Sequence, residues 1–447
     1  MFASSTAAPR RPALTARVFA LVALLAAPGL GWLAANQPRE ALLGMGLLLV
    51  EAVLLARPRW GLYGLVVAVF FDAVNLPAGF AQLGAADLLV LAWVPAWLLR
   101  RVLDWGGLQR PVLWAALLGF LGLAFASLML GVAPRAGYGT FARTVTYVMA
   151  LFAMVDLARD VRVFEVATRL MIVCGVVHVI AALATTTPGA RLVGLVGQPN
   201  SLGALLGFSA LATVGWWQRT TRPGQRALLT GVLLALLVGI ALTMSRGTYL
   251  ALGLAFLWFI RRSGRVAVVL VLLGTTTAVL VARYAEDRVA RIERRLEFDD
   301  SSVDNRAVVV GNALRTIAER PLLGVGLGQF GELNRAVEVT DQVGRGAHNF
   351  YLGLAASTGL PAVALLLWFW AAQVLRITRR LRFAPPGREA WALALFQTIA
   401  LYHAASLAVR GAQRMVDWAF FALYAAAALL PLADAEAQPP EGEQTSG

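Results

Sequence analysis

The chain has 447 residues, of which 59% are hydrophobic and 14% charged, with a mean hydropathy of +0.69. A soluble domain is about 45–50% apolar and about 25% charged, so this composition excludes a water-soluble globule and a polar disordered chain, and with Cys174 as the single cysteine it excludes a disulfide scaffold. The net charge of +14 comes from 39 basic residues against 25 acidic ones, and every basic residue is arginine; such an excess suggests nucleic acid in a soluble protein, but in a membrane protein the positive-inside rule claims much of it.

A spanning helix needs about 20 mostly apolar residues. Apolar segments run near 16–36, 40–56, 60–76, 84–99, 111–132, 138–157, 163–184, 200–217, 227–244, 247–260, 266–284, 348–375, 389–409 and 415–433. The reading is an all-α polytopic integral membrane protein with about 12–14 transmembrane helices. It divides into N-terminal transmembrane helices (1–284), a long outer loop (285–347), C-terminal transmembrane helices (348–433) and a tail (434–447). The short connections alternate in arginine content. One set, beginning with Arg10, Arg11, Arg17, Arg57 and Arg59 and ending with Arg382 and Arg388, carries 21 arginines. The other carries seven: Arg39, Arg135, Arg143, Arg191, Arg246, Arg410 and Arg414. The richer side is expected to be cytoplasmic, with both termini on it. The basic start and the apolar run from Val18 could also be read as a signal peptide. The run is long, however, and Ala34-Ala35-Asn36 is a poor cleavage site, so a retained first span is expected.

Residues 285–347 break the alternation, with ten arginines once Arg283 at the edge is included. Long loops translocate largely regardless of charge. Glu286 to Phe298 reads as a charged helix. Asn305 to Arg320 reads as a second one, with Val308, Val309, Ala313, Leu314 and Ile317 at helical spacing and Pro321 as its stop. A small helical cap on the outer face is expected. The acidic tail from Asp434 reads as disordered.

Four clusters on the outer side carry chemistry. Arg191-Leu-Val-Gly-Leu-Val-Gly-Gln198-Pro199-Asn200 joins two spans. Its glycines let the backbone bend, and Arg191 is either an anion-binding fork beside a helix N-terminus or an ordinary interfacial arginine. Ser245-Arg246-Gly247 occupies the next outer connection, where Arg246 either snorkels or shares an anion site with Arg191. Asp304-Asn305-Arg306 precedes Pro321-Leu-Leu-Gly-Val-Gly-Leu-Gly-Gln-Phe330. Those glycines are no P-loop, because no Lys-Ser/Thr follows; they suit a tight return toward the membrane. Arg306 either meets a phosphate or pairs with Asp304 or Asp300. His348-Asn349 begins the next span, and His348 reads as a general base or as a helix-capping residue. His178 and His403, inside apolar spans, read as structural. No metal-ligand spacing, nucleophile elbow or nucleotide motif is present. Glu51, Asp72 and Asp87 are few acids for a proton-coupled transporter, and a transporter would hold its key charges near the bilayer midplane.

Taken in order over roughly residues 185–360, these motifs resemble the O-antigen ligase and polymerase superfamily. The resemblance implies a membrane-embedded glycosyltransferase of the bacterial inner membrane, with its active site facing the periplasm. Its donor would be a polysaccharide on undecaprenyl pyrophosphate. Its acceptor would be a sugar hydroxyl of the lipid A core. No cofactor, metal or nucleic acid is expected, and membrane lipids are the surrounding partners. His348 and Arg191 would be catalytic, and Arg246, Arg306, Asn200, Gln198 and Asn349 would bind substrate. The same chemistry is open to an O-antigen polymerase or a protein O-oligosaccharyltransferase, and a lipid-linked glycan transporter is the non-enzyme alternative.

Overall fold

The computed structural model describes residues 38–71, 84–104, 108–187, 190–260, 300–331, 349–408 and 415–432, with residues 264, 274 and 333. Among the described residues the regular structure is helical, with no strand. The α-helices are α1 (Pro38–Ala56), α2 (Arg59–Ala68), α3 (Ala85–Asp104), α4 (Trp114–Met129), α5 (Pro134–Leu157), α6 (Val161–Thr185), α7 (Pro199–Arg219) and α8 (Pro223–Thr243). They continue with α9 (Arg246–Ile260), α10 (Asp300–Glu319), α11 (Phe350–Thr358), α12 (Leu360–Phe383), α13 (Arg388–Leu407) and α14 (Met415–Ala427). Five of them, α5, α6, α8, α12 and α13, are long and apolar enough to cross a membrane. The protein is an all-α polytopic membrane protein, and the expected apolar segments from 40–56 onward fall on these helices. The segment at 16–36, that at 266–284 apart from residue 274, the charged helix expected at 286–298 and the tail from 434 lie outside the described residues.

Helix starts follow local chemistry. Proline stands in the first turn of α5, α7, α8 and α12, where its missing N–H costs nothing. Asp160 caps α6 by accepting from the Arg162 N–H at 2.9 Å. Outward faces are apolar: Leu250, Leu254 and Leu257 share one face of α9 and are all more than half exposed. The interior mixes leucine and valine with aromatics and with many small residues, and the small ones let helices approach closely without a hydrophobic drive from water. Gly207 of α7 admits the Tyr402 ring of α13, whose hydroxyl donates to the Ala204 carbonyl at 3.0 Å. α14 is buried on all sides.

Among the described residues, the arginine-rich connections share one end of the bundle. Buried Asp156, near the end of α5, accepts from Arg101 and Arg159, from the Gln109 N–H at 3.0 Å and from the Trp97 indole at 2.9 Å. Glu165 of α6 pairs with Arg219 and Arg388, which come from two other connections of the same set. The arginine-poor connections among the described residues lie at the opposite end, where the Leu192 N–H donates to Leu242 O and the Val132 N–H to Val325 O, each at 3.0 Å. Arg143 departs from the expected pattern. It lies within α5 rather than in a connection, 4.0 Å from Asp87. Asp87 also accepts from Tyr147 at 2.7 Å and from the Gly84 N–H at 3.1 Å.

The segment expected at 348–375 is two helices. The chain breaks at Gly359, whose φ of +80° favours glycine, and an added Cβ there would overlap the Leu322 carbonyl. The break leaves carbonyls of α11 without helical partners. Ala356 O and Ser357 O accept instead from the Val325 and Gly326 N–H groups, at 3.0 and 2.9 Å. Residues Pro321–Phe330 thus close the end of α11. Gln329, fully buried, completes the knot by accepting from the Ala133 N–H at 2.6 Å and donating to Leu128 O at 3.2 Å. Gln329→Leu is expected to destabilise the fold by about 1–3 kcal/mol for each backbone group it orphans, read as a lower melting temperature in detergent. A variant that melts with the native protein would show these two bonds to be dispensable.

Candidate functional site

The arginine-poor end carries the expected site residues. Two glycines have positive φ: Gly194 (φ +53°) opens a short 3-10 turn and Gly197 (φ +69°) follows it, and Pro199 then starts α7. This geometry brings Arg191 back over the connection between α8 and α9. Its Nε donates to Thr243 O at 3.0 Å, and its Nη2 donates to Met244 O and to Asn200 Oδ1, each at 3.2 Å. Met244 itself takes a left-handed φ of +52°. Such a conformation is uncommon for a side chain of this size and marks a constrained turn.

The same turn sets Arg246 as the first residue of α9. Ser245 Oγ accepts from the Thr248 hydroxyl at 2.9 Å, steadying the start of that helix. Gly203 of α7 faces Thr248 and Thr243, where an added Cβ would lie 2.7 and 3.1 Å from their hydroxyls, so the starts of α7 and α9 are in close contact. Arg191, Asn200 and the turn leading into Arg246 therefore form one cluster, with Arg191 and Arg246 both exposed. Gln198 is exposed at the position preceding α7, and its carbonyl accepts from the Leu202 N–H at 3.0 Å.

The second half of the expected site lies on α10 and α11. Arg306 falls in the first third of α10, which packs on α11. The buried face of α10 is Val309, Ala313 and Thr316, set against Val325, Phe330 and Ala356. Val308 and Leu314, expected on that face, are exposed at 45% and 53%. Asn349 caps α11 by accepting from the Leu352 N–H at 3.1 Å. Two residues on, the Tyr351 hydroxyl donates to Ala404 O of α13 at 3.1 Å, and α9, headed by Arg246, packs along α13. His348 lies outside the described residues.

The other two histidines are core residues. His178 Nε2 is 2.7 Å from Phe70 O and its ring stacks on Phe71. His403 lies 3.0 Å from Asp417 and 3.1 Å from the Tyr424 hydroxyl, all three fully buried. The sequence reading missed Asp156, Glu165 and Asp417 as buried anchors. Their signal was an acidic residue at the edge of an apolar run near arginine or histidine, a pattern too common in membrane chains to single them out.

No curated protein matches the chain. Residues 231–367 match the family model described as O-Antigen ligase, a segment that contains Arg246, Arg306, His348 and Asn349 and begins after Arg191, Gln198 and Asn200. That match supports a place for this segment in the O-antigen ligase superfamily.

Proposed function

We propose that the protein is an O-antigen ligase of the bacterial inner membrane, working on the periplasmic face with both termini in the cytoplasm. The donor is a polysaccharide on undecaprenyl pyrophosphate and the acceptor a sugar hydroxyl of the lipid A core. The observation that carries this reading is the Arg191 cluster. A guanidinium is held on three acceptors beside the N-terminus of α7 and over the turn that presents Arg246, within or next to the segment that matches the family.

In the reaction, His348 takes the proton of the acceptor hydroxyl. The oxygen attacks the anomeric carbon of the donor from the face opposite the leaving group. A new C–O glycosidic bond forms, the bond to the pyrophosphate oxygen breaks, and configuration inverts. Undecaprenyl pyrophosphate departs with the electron pair. Arg191 and Arg246 neutralise the charge that grows on it, with Arg306 as a third contact; preorganised guanidiniums suit this task because they cost no reorganisation at the moment of reaction. Gln198, Asn200 and Asn349 orient neighbouring groups.

The test combines purified protein, undecaprenyl-pyrophosphate glycan and lipid A-core in detergent. A conjugate of higher mass is the expected product. Glycan elongation without lipid A-core would replace the ligase reading with a polymerase. Failure to form either product, together with glycan transport in vesicles, would overturn the enzyme reading.

A further inference from the structure

At the arginine-rich end, on the lateral surface of α6, two arginines stack on a pair of tryptophans. The Arg169 guanidinium lies 4.4 Å from the centre of the Trp216 ring. The Arg219 guanidinium lies 5.2 Å from the same ring and 5.1 Å from that of Trp391. The two rings meet edge to face with centres 5.2 Å apart. Each indole N–H is anchored, Trp216 to the Thr168 hydroxyl at 2.9 Å and Trp391 to Gly215 O at 2.8 Å. The platform is therefore rigid.

Its charge is unbalanced. Glu165 is engaged by Arg219 at 2.5 Å and by Arg388 through two nitrogens at 2.8 and 2.7 Å. In these contacts three guanidiniums meet one carboxylate, while Asp160 and Glu389 also act on Arg388, so Arg169 is the charge left over. Arg169 is exposed and stands eight positions into α6, about 12 Å along its axis. A guanidinium at such a depth on a spanning helix is costly unless it meets the headgroup layer or an anion. Directly along the same helix face run Val173, Val177 and Ile180, exposed at 58%, 41% and 63%. A cationic aromatic platform at the head of an exposed apolar stripe has the shape and polarity of a phospholipid, phosphate at one end and acyl chain at the other.

We infer that Arg169 and Arg219, held on the rings of Trp216 and Trp391, bind the phosphate of an anionic phospholipid in the leaflet at the arginine-rich end, with its acyl chain lying along Val173, Val177 and Ile180. This site is at the opposite end of the bundle from the Arg191 cluster and does not depend on the proposed transfer reaction.

Native mass spectrometry of the full chain in detergent tests it. The protein is titrated with phosphatidylglycerol and phosphatidylcholine of matched acyl chains, and separately with inorganic phosphate. Phosphatidylglycerol is expected to remain bound at about fivefold lower concentration than phosphatidylcholine for the unbalanced arginine it meets. Arg169→Gln should remove about a fivefold share of that preference. Arg57→Gln, which removes a guanidinium stacked on Trp60 alone, should change it by less than about twofold. Equal retention of the two lipids by the unmodified protein would overturn the site without recourse to any variant. So would an undiminished preference in a monodisperse, helical Arg169→Gln protein. Competition by inorganic phosphate at the lipid's own concentrations would make this a free-anion site instead.

Discussion

His348→Ala is expected to lower glycan transfer by about 10²–10⁴-fold, the range a positioned acid–base group contributes, while insertion and melting temperature stay at native values. The structure sharpens this expectation through the neighbouring residue. A histidine at the start of a helix can serve as a cap, and its removal would then cost stability. Here the cap is Asn349, whose backbone is extended (φ −141°, ψ 117°) and whose Oδ1 accepts from the Leu352 N–H. Phe350, the first residue of α11, is buried. Loss of the imidazole therefore leaves the helix start anchored on both counts. Asn349→Ala is the matching control, expected to cost about 0.5–2 kcal/mol as a lost cap. Comparison of the two variants by thermal unfolding shows whether His348 shares in the cap; transfer rate does not serve here, because Asn349 also orients substrate in the proposed reaction. Native transfer rates in His348→Ala would remove this residue as the base.

The helices were legible because apolar run length is a strong signal in lipid, where every backbone polar group must be satisfied within the span. The alternation of arginine was equally legible, and the buried carboxylates Asp156 and Glu165 explain why it maps onto one end of the bundle: each gathers guanidiniums from connections far apart in sequence. What composition concealed is the break at Gly359. Leucine and alanine continue on both sides of it, so hydropathy runs through, and the local stop signal of Gly359 followed by Pro361 was passed over. The break exists because a segment some 30 residues upstream supplies the N–H groups of Val325 and Gly326, a tertiary fact that no local pattern carries. At the site, Arg191 and Asn200 were both visible as members of one motif. Their link to Thr243 and Met244 arises from the fold, since left-handed turns at Gly194 and Gly197 bend the connection back onto α8. Gln329 shows the reverse case: a residue inside a recognisable glycine motif whose role is structural, satisfying the turn between α4 and α5.

Arg191→Lys is expected to reduce kcat for transfer by about 10²–10³-fold, the loss that follows removal of one preorganised donor to a developing charge. The formal charge is retained, so a purely electrostatic role would predict a small effect. The geometry predicts a large one. Arg191 reaches Thr243 O, Met244 O and Asn200 Oδ1 through two nitrogens of a planar fork, so its position and that of the turn leading into Arg246 are fixed together. An ammonium radiates its donors from a single atom and cannot hold those acceptors while facing a pyrophosphate. The lysine variant therefore loosens the turn as well as the charge. Two measurements follow from this coupling. Arg191→Lys combined with Arg246→Ala should lose less than the product of the single losses, because Arg191 helps to place Arg246. The effect should also fall on kcat more than on KM, because stabilisation of a departing pyrophosphate is realised in the transition state, whereas simple donor capture would raise KM and leave kcat alone. An Arg191→Lys protein with native kcat and raised KM would assign Arg191 to donor binding and leave the leaving-group charge to Arg246 and Arg306.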